Sequence, residues 1–100
     1  MLPLRVRALA RREIDEAFDW YAQRSPSAAM GFLDVLDDAL LRIGRAPDQH
    51  LVVRGLLRRV LLDAYPYAVY YKTYPHVISV VGVIHIADSA WLTRCKQPWP

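Results

Sequence analysis

The residues of this chain whose types suit chemistry are three histidines and one cysteine. His50, His76 and His85 lie too far apart in the sequence to predict a shared metal site, and Cys95 has no general base beside it. We therefore expect no metal and no cofactor. His85 ends an apolar segment and is the best single candidate for acid–base chemistry; the alternative is a histidine that bonds only to backbone.

Basic residues are unevenly distributed along the chain, whose formal net charge is +3. Residues 11–45 carry seven acidic residues against five arginines, whereas the rest carries eight basic residues against three aspartates. The strand-rich part of the chain is therefore basic, and it could contact nucleic acid, an acidic protein or only water. Arg58 and Arg59 are neighbours in a predicted strand, so only one of them can join any given surface.

The length and composition predict a single domain over residues 1–100, because one hundred residues, just over half of them apolar, can build one core. No apolar run approaches the ~20 residues that span a bilayer, and the N-terminus shows no signal-peptide pattern. A lone cysteine cannot form an intramolecular disulfide. We therefore expect a reducing, cytoplasmic setting.

Two elements are predicted in the first quarter of the chain. Residues 4–9 alternate apolar and basic side chains, which is typical of a half-buried strand. Apolar residues then recur at helical spacing from Ile14 to Ala22. This pattern predicts an amphipathic helix over residues 11–24.

A second helix follows almost immediately, so the two must form an antiparallel hairpin. Ser25 can cap it, Pro26 suits its first position, and Gly44 marks its end. Asp38 and Arg42 form a favourable pair one turn apart. The apolar stripe of this helix is wide. It either packs entirely into the core or leaves a docking surface for another chain.

Three strands are predicted in the second half, at residues 56–62, 66–73 and 77–86, after a loop over residues 46–55. Residues 89–100 are expected to form a short helical turn and a frayed tail. The order is β-α-α-β-β-β and the fold class is α+β. We expect a twisted, mostly antiparallel sheet with the helical hairpin packed on one face. The other face would be partly open.

Four segments in this order resemble the RelE/ParE superfamily of toxins from type II toxin–antitoxin systems, once called plasmid stabilisation proteins. They are Val6 to Glu16, Trp20 to Ala29, Gly55 to Tyr71, and Val83 to His85 with Trp91. The third segment is similar to the R-x-P-Y-x-V-x-Y strand of the superfamily. The resemblance covers about residues 4–95.

The resemblance implies one of two mechanisms. RelE-like toxins cut messenger RNA on the ribosome with basic residues, whereas ParE-like toxins bind and block DNA gyrase. Pro66 or Tyr67 stands where RelE-like toxins carry the third-strand arginine, and Ile86-Ala87-Asp88 replaces basic residues near the end. These differences remove phosphate-binding charge and favour the ParE-like branch.

For a ParE-like toxin, the expected gyrase-binding residues are Arg58, Arg59, Lys72, His85, Trp91 and Arg94. The alternatives are a RelE-like endoribonuclease, in which His85 is the acid or base, and a family member that binds an antitoxin but is not toxic. All three readings imply a cognate antitoxin. Its expected contacts on the second helix are Phe32, Leu36, Leu40 and Ile43.

Overall fold

The computed structural model describes residues 2–88, and the predicted tail over residues 89–100 lies outside this range. Within it the predicted α+β class and helical hairpin are confirmed. The elements in chain order are β1 (Leu4–Val6), α1 (Ala8–Ala22), α2 (Pro26–Arg45), β2 (Leu51–Arg54), β3 (Leu57–Leu61), β4 (Tyr67–Tyr74) and β5 (Val77–His85). Short 3-10 turns occupy Pro47–Gln49 and Ile86–Asp88.

The five strands form one sheet in the order β1-β5-β4-β3-β2. Every pairing is antiparallel except that of β1 with β5, which is parallel. The helices pack on one side, where buried residues of α1 and α2 join Val60, Val69, Tyr71 and Val80 of the sheet in one core. We call this side the helix face and the other side the basic face.

The first strand is shorter than predicted, and the reason lies at Arg7. The backbone N–H of Arg7 donates to the carbonyl oxygen of Val80 over 2.9 Å, which extends the pairing with β5. The carbonyl oxygen of Arg7 then accepts from the N–H of Arg11 over 2.8 Å, which is a helical bond. Strand therefore passes directly into helix, and α1 begins at Ala8 rather than at residue 11.

The predicted start of α2 is confirmed. The backbone N–H of Ala28 donates to the Ser25 hydroxyl over 3.3 Å, and Pro26 occupies the first helical position. The Asp38 carboxylate and the Arg42 side chain lie 3.3 Å apart, as the spacing predicts. Exposed pairs of this kind contribute a few tenths of a kcal/mol, so the helix depends mainly on burial of its apolar side.

Residues 46–55 were expected to be a loop, and this expectation is wrong for Leu51–Arg54, which form β2. The strand is an edge strand that pairs with β3 across a two-residue turn at Gly55 and Leu56. Gly55 has a φ of +56°, which is a conformation that glycine adopts without strain. The strand gains its hydrogen bonds from β3, and its residues Leu51, Val52 and Val53 are of apolar, mainly β-branched types that favour strands.

Tyrosines form much of the core, as expected of strand tyrosines. Tyr21, Phe32, Tyr65 and Tyr67 form one aromatic cluster between the hairpin and the sheet, with ring centroids 5.1–6.3 Å apart. At the other end of the helix face, the buried Tyr71 donates its hydroxyl to the carbonyl oxygen of Pro47 over 2.6 Å. The two ends of α2 are thus anchored separately.

The centre of the basic face is also buried. Its apolar residues have exposed fractions of 1–6 % and are Leu57, Ala68, Tyr70, Val81 and Ile84. The central strands therefore carry buried apolar residues on both faces. This face was expected to be partly open, but its apolar centre is not exposed to solvent.

Candidate functional site

The strand register aligns basic residues across the basic face. Arg5 pairs with Ser79, Ser79 with Lys72, Lys72 with Leu57, and Leu57 with Arg54. Paired residues project from the same side of a sheet, so this row crosses all five strands. It brings together cations that are far apart in the sequence.

The two adjacent arginines of β3 have different surroundings. Arg59 pairs with Tyr70 and therefore lies on the basic face, whereas Arg58 pairs with Tyr71 and lies on the helix face. The Arg58 guanidinium donates from Nη1 to the carbonyl oxygens of Asp48 (3.0 Å) and His50 (2.8 Å). Arg58 thus holds the segment before β2 in place, whereas Arg59 is half-buried on the basic face.

Two further basic residues of this face, the exposed Arg7 and the half-buried Lys72, lie against the sheet. Arg7 donates from Nε to the hydroxyl of the buried Ser79 over 2.8 Å. Burial lowers the pKa of Lys72, because desolvation disfavours the ammonium form. The positive charge of this face therefore lies beside a buried apolar centre, an environment that strengthens contacts with an opposite charge.

His85 lies on the helix face, away from this row. Its Nδ1 accepts from the backbone N–H of Ala87 over 3.0 Å, so in the neutral ring the proton is on Nε2. The imidazole packs edge-on against Tyr67 with centroids 5.1 Å apart. This is the backbone-bonded arrangement that the sequence left open as the alternative to acid–base chemistry.

A cleft of about 250 Å³ adjoins His85, between α1 and the ends of β4 and β5. We call it the His85 cleft; its lining residues are Glu13, Glu16, Ala17, Trp20, Tyr67, Val83, Ile84 and His85. The Glu13 Oε1 accepts from the backbone N–H of Val83 over 3.0 Å. Burial raises the pKa of Glu13, the Val83 bond opposes this effect, and the charge of Glu16 adds to it.

Sequence reasoning missed Glu13 as a residue of interest. It precedes the core residue Ile14 on α1, so its position beside the apolar stripe was visible. Its contact with β5, 70 residues later, was not. Trp91 and Arg94, which were predicted to bind the target, lie outside the described residues.

The predicted antitoxin contacts on α2 divide into core and surface positions. Phe32, Leu36 and Ile43 have exposed fractions of 0–4 % and pack in the core. Only Leu40 lines a surface feature, an apolar groove of about 470 Å³. We call it the α2 groove; its lining residues are Leu2, Leu4, Asp37, Leu40, Leu41 and Gly44.

Beside the α2 groove, β1 is an edge of the sheet within residues 2–88. Pro3 and Arg7 bond to β5 through their backbone groups. Because backbone groups alternate in direction along a strand, Leu4 and Val6 direct theirs toward the opposite side. An extended segment could therefore add to this edge while filling the groove.

A family model described as the ParE toxin of type II toxin–antitoxin systems, parDE, matches residues 4–89 of this sequence. The chain belongs to the ParE toxin family. This family relationship agrees with the ParE-like branch of the predicted superfamily and implies an antitoxin partner. It says nothing of which residues above contact that partner or any target.

A solved structure described as the chromosomal ParDE TA system from P. aeruginosa has the same fold as this ParE-family chain. The TM-score is 0.75 at 15 % identity, over 85 % of this chain and 96 % of the other. Ten solved chains in all are significantly similar. None of the curated proteins compared with this chain matches it.

Residues 2–88 of this ParE-family chain contain no group of three or more potential metal ligands. In the same range, neither helix combines the length and the apolar character that crossing a membrane requires.

Proposed function

We propose that this ParE-family toxin acts by binding DNA gyrase rather than by cutting RNA, and that a cognate antitoxin neutralises it. Gyrase as the target follows from the resemblance to ParE-like toxins. The observation that carries the non-nucleolytic part is the separation of His85 from Arg59 and Lys72, which project from opposite faces of the sheet.

Cleavage of RNA without a metal needs a base, an acid and cations around one phosphate. His85 bonds to Ala87 and adjoins two carboxylates, which repel phosphate. Arg58 shares the helix face with His85, but its guanidinium is bonded to backbone carbonyls before β2. This arrangement supports a toxin that binds its target.

The basic face is the surface that we assign to the target. Arg59 is the residue of choice for a test, since it is half-buried beside Tyr70 and adjoins the charged row. Arginine is one of the residue types enriched among those that dominate the energetics of protein interfaces. Arg59→Gln removes the charge while keeping a long polar side chain.

The experiment is a gyrase supercoiling assay with purified toxin, alongside a ribosome-programmed mRNA cleavage assay. We expect inhibition of supercoiling at micromolar toxin, about tenfold weaker with Arg59→Gln, and no cleavage of mRNA. The matched control is Arg11→Gln on the exposed side of α1, which should inhibit like the wild type. Unimpeded supercoiling contradicts the target, and cleavage that His85→Ala abolishes contradicts the mechanism.

We also assign the antitoxin to the α2 groove and the adjoining edge of β1. The groove is apolar, and exposed apolar concavities of this size are typical of protein contacts. The edge of β1 offers backbone groups to an added strand. The antitoxin is expected to place apolar side chains in the groove and to pair its backbone with Leu4 and Val6.

A further inference from the structure

The His85 cleft is lined by two carboxylates for which no salt bridge is found within residues 2–88. Within residues 2–88, no Lys, Arg or His nitrogen lies within 4.0 Å of the Glu13 or Glu16 carboxylate; the ion pair in this range joins Arg42 and Asp38. The two glutamates are three residues apart on α1 and therefore project from the same side of the helix. Both line the cleft.

The partly buried position of Glu13 makes this charge costly. Its Oε1 is held by the Val83 N–H, and both burial and the neighbouring charge of Glu16 raise the pKa of Glu13. A cation placed between the two carboxylates would relieve the repulsion and replace lost hydration.

Two aromatic side chains, Trp20 and Tyr67, line the cleft together with aliphatic residues. Trp20 is half exposed (49 %), and Tyr67 packs against His85. Trp20 already binds a guanidinium, since the Cζ of Arg24 lies 3.6 Å from the centroid of the Trp20 ring. Arg24 donates to the carbonyl oxygen of Trp20 rather than to a carboxylate. Carboxylates beside aromatic faces are the surroundings that suit a planar guanidinium better than an ammonium.

We propose that the His85 cleft binds the guanidinium group of an arginine side chain presented by a partner protein. The volume of about 250 Å³ is below the range of drug-sized ligands and suits a single side chain. The carboxylates of Glu13 and Glu16 bind the guanidinium, and the rings of Trp20 and Tyr67 flank its plane. Binding here does not require gyrase to be the target.

Two backbone amides report on the cleft. The Val83 N–H bonds to Glu13, and the Ala87 N–H bonds to His85. In NMR titrations of the ¹⁵N-labelled full chain, ethylguanidinium should shift both amide signals saturably. Ethylurea has a similar shape without charge and should not shift them. Equal shifts with ethylurea, or none with ethylguanidinium, would overturn the proposal.

Substitutions of the two glutamates test the role of their charge separately from the stability of the fold. Glu13→Gln keeps an oxygen that accepts from Val83, and Glu16→Gln alters an exposed side chain. Each should weaken ethylguanidinium binding about threefold, the size expected of one partly exposed charge pair. Asp15→Asn, on α1 but outside the cleft, is the matched control and should bind as the wild type does. Unchanged binding in both glutamate variants contradicts the site.

The source of the guanidinium is tested with N-acetyl-arginine N-methylamide, which carries the flanking backbone of a polypeptide. It should bind at least as tightly as ethylguanidinium. If this arginine derivative does not bind while ethylguanidinium does, the ligand is a small cation, and the proposed arginine of a partner protein is wrong. If Arg94→Gln tightens its binding about tenfold, the chain supplies its own arginine, and the proposal also fails.

Discussion

Tyr71 links the segment before β2 to the centre of the sheet. Its side chain is fully buried, and its hydroxyl donates to Pro47 over 2.6 Å. Burial raises the pKa of Tyr71 to about 12, against the effect of the nearby Arg58 guanidinium and together with that of Asp48. An ordinary tyrosine has a pKa of about 10, so Tyr71 couples stability to alkaline pH.

Because the folded state holds the Tyr71 proton more tightly, this contribution is complete below about pH 10 and is lost as pH rises toward about 12. Tyr71→Phe removes the titrating group and one hydrogen bond. We expect it to lower the free energy of unfolding by about 1 kcal/mol at neutral pH, and the difference from the wild type to shrink above pH 10.

Urea denaturation at neutral pH and at about pH 11 measures both values. Tyr74→Phe, at the half-buried end of β4, is the control for removal of a tyrosine hydroxyl. A wild-type advantage over Tyr71→Phe that stays constant between the two pH values would contradict the coupling.

At the scale of elements, α2 packs closely against the β3–β4 connection at Gly31. A Cβ at this position would lie 2.5 Å from the Tyr65 hydroxyl oxygen, whereas the next ring atom is 3.6 Å away. The hydroxyl donates to the carbonyl oxygen of Ala28 over 2.7 Å. Tyr21 and Phe32 pack on the ring, so Tyr65 cannot move aside without losing contacts.

We predict that Gly31→Ala destabilises the fold by about 1–2 kcal/mol, although alanine favours a helix over glycine by about 1 kcal/mol. In a Tyr65→Phe background the obstructing oxygen is absent. There, Gly31→Ala should be neutral or stabilising by up to about 1 kcal/mol. A double-mutant cycle of thermal or urea unfolding measures the coupling. If Gly31→Ala lowers the stability equally in both backgrounds, the close approach of the Tyr65 hydroxyl to position 31 is not the cause.

For the molecule as a whole, the exposed apolar residues lie in separate regions with separate expected roles. Leu41 is 55 % exposed and lines the α2 groove, whereas Leu56 is 60 % exposed at the tip of the β2–β3 hairpin. Neither side chain is needed to fill the core. The two leucines therefore form a matched pair for testing where the antitoxin binds.

Leu41→Glu should weaken the complex with the purified cognate antitoxin about tenfold or more, because an unpaired charge would be buried in the interface. Leu56→Glu should leave the affinity unchanged. Isothermal titration calorimetry measures both, and circular dichroism checks that each variant is folded. Equal losses of affinity for the two variants, or no loss for Leu41→Glu, would contradict the assignment of the antitoxin to the α2 groove.

Much of the fold was predictable because its signals are local. Helical spacing of apolar residues, the Ser25 cap and strand alternation predicted the hairpin and the last three strands to within a few residues. The end of β1 was not predictable, and β2 was missed although Leu51, Val52 and Val53 are of types that favour strands. Arg7 pairs with Val80 of β5 and also begins α1 by accepting from Arg11, and β2 pairs with β3. The contacts with Val80 and with β3 join separate elements.

The candidate sites were less predictable than the fold. The sequence indicated that Arg58 and Arg59 face opposite ways, but not that Arg58 would hold the segment at Asp48 and His50. It indicated a wide apolar stripe on α2, and burial assigned Phe32 and most of that stripe to the core. Glu13 became relevant only through its bond to Val83.

By itself the sequence determined the order of elements, the helical hairpin and the resemblance to the toxin superfamily, because periodicity, capping residues and turn residues act over a few positions. The tertiary structure alone decided which face each charged side chain shares, and with which neighbours. His85 and Glu13 line one cleft, on the other face of the sheet from Lys72, because strand register and helix packing bring together residues about 70 positions apart. Such contacts leave no local pattern.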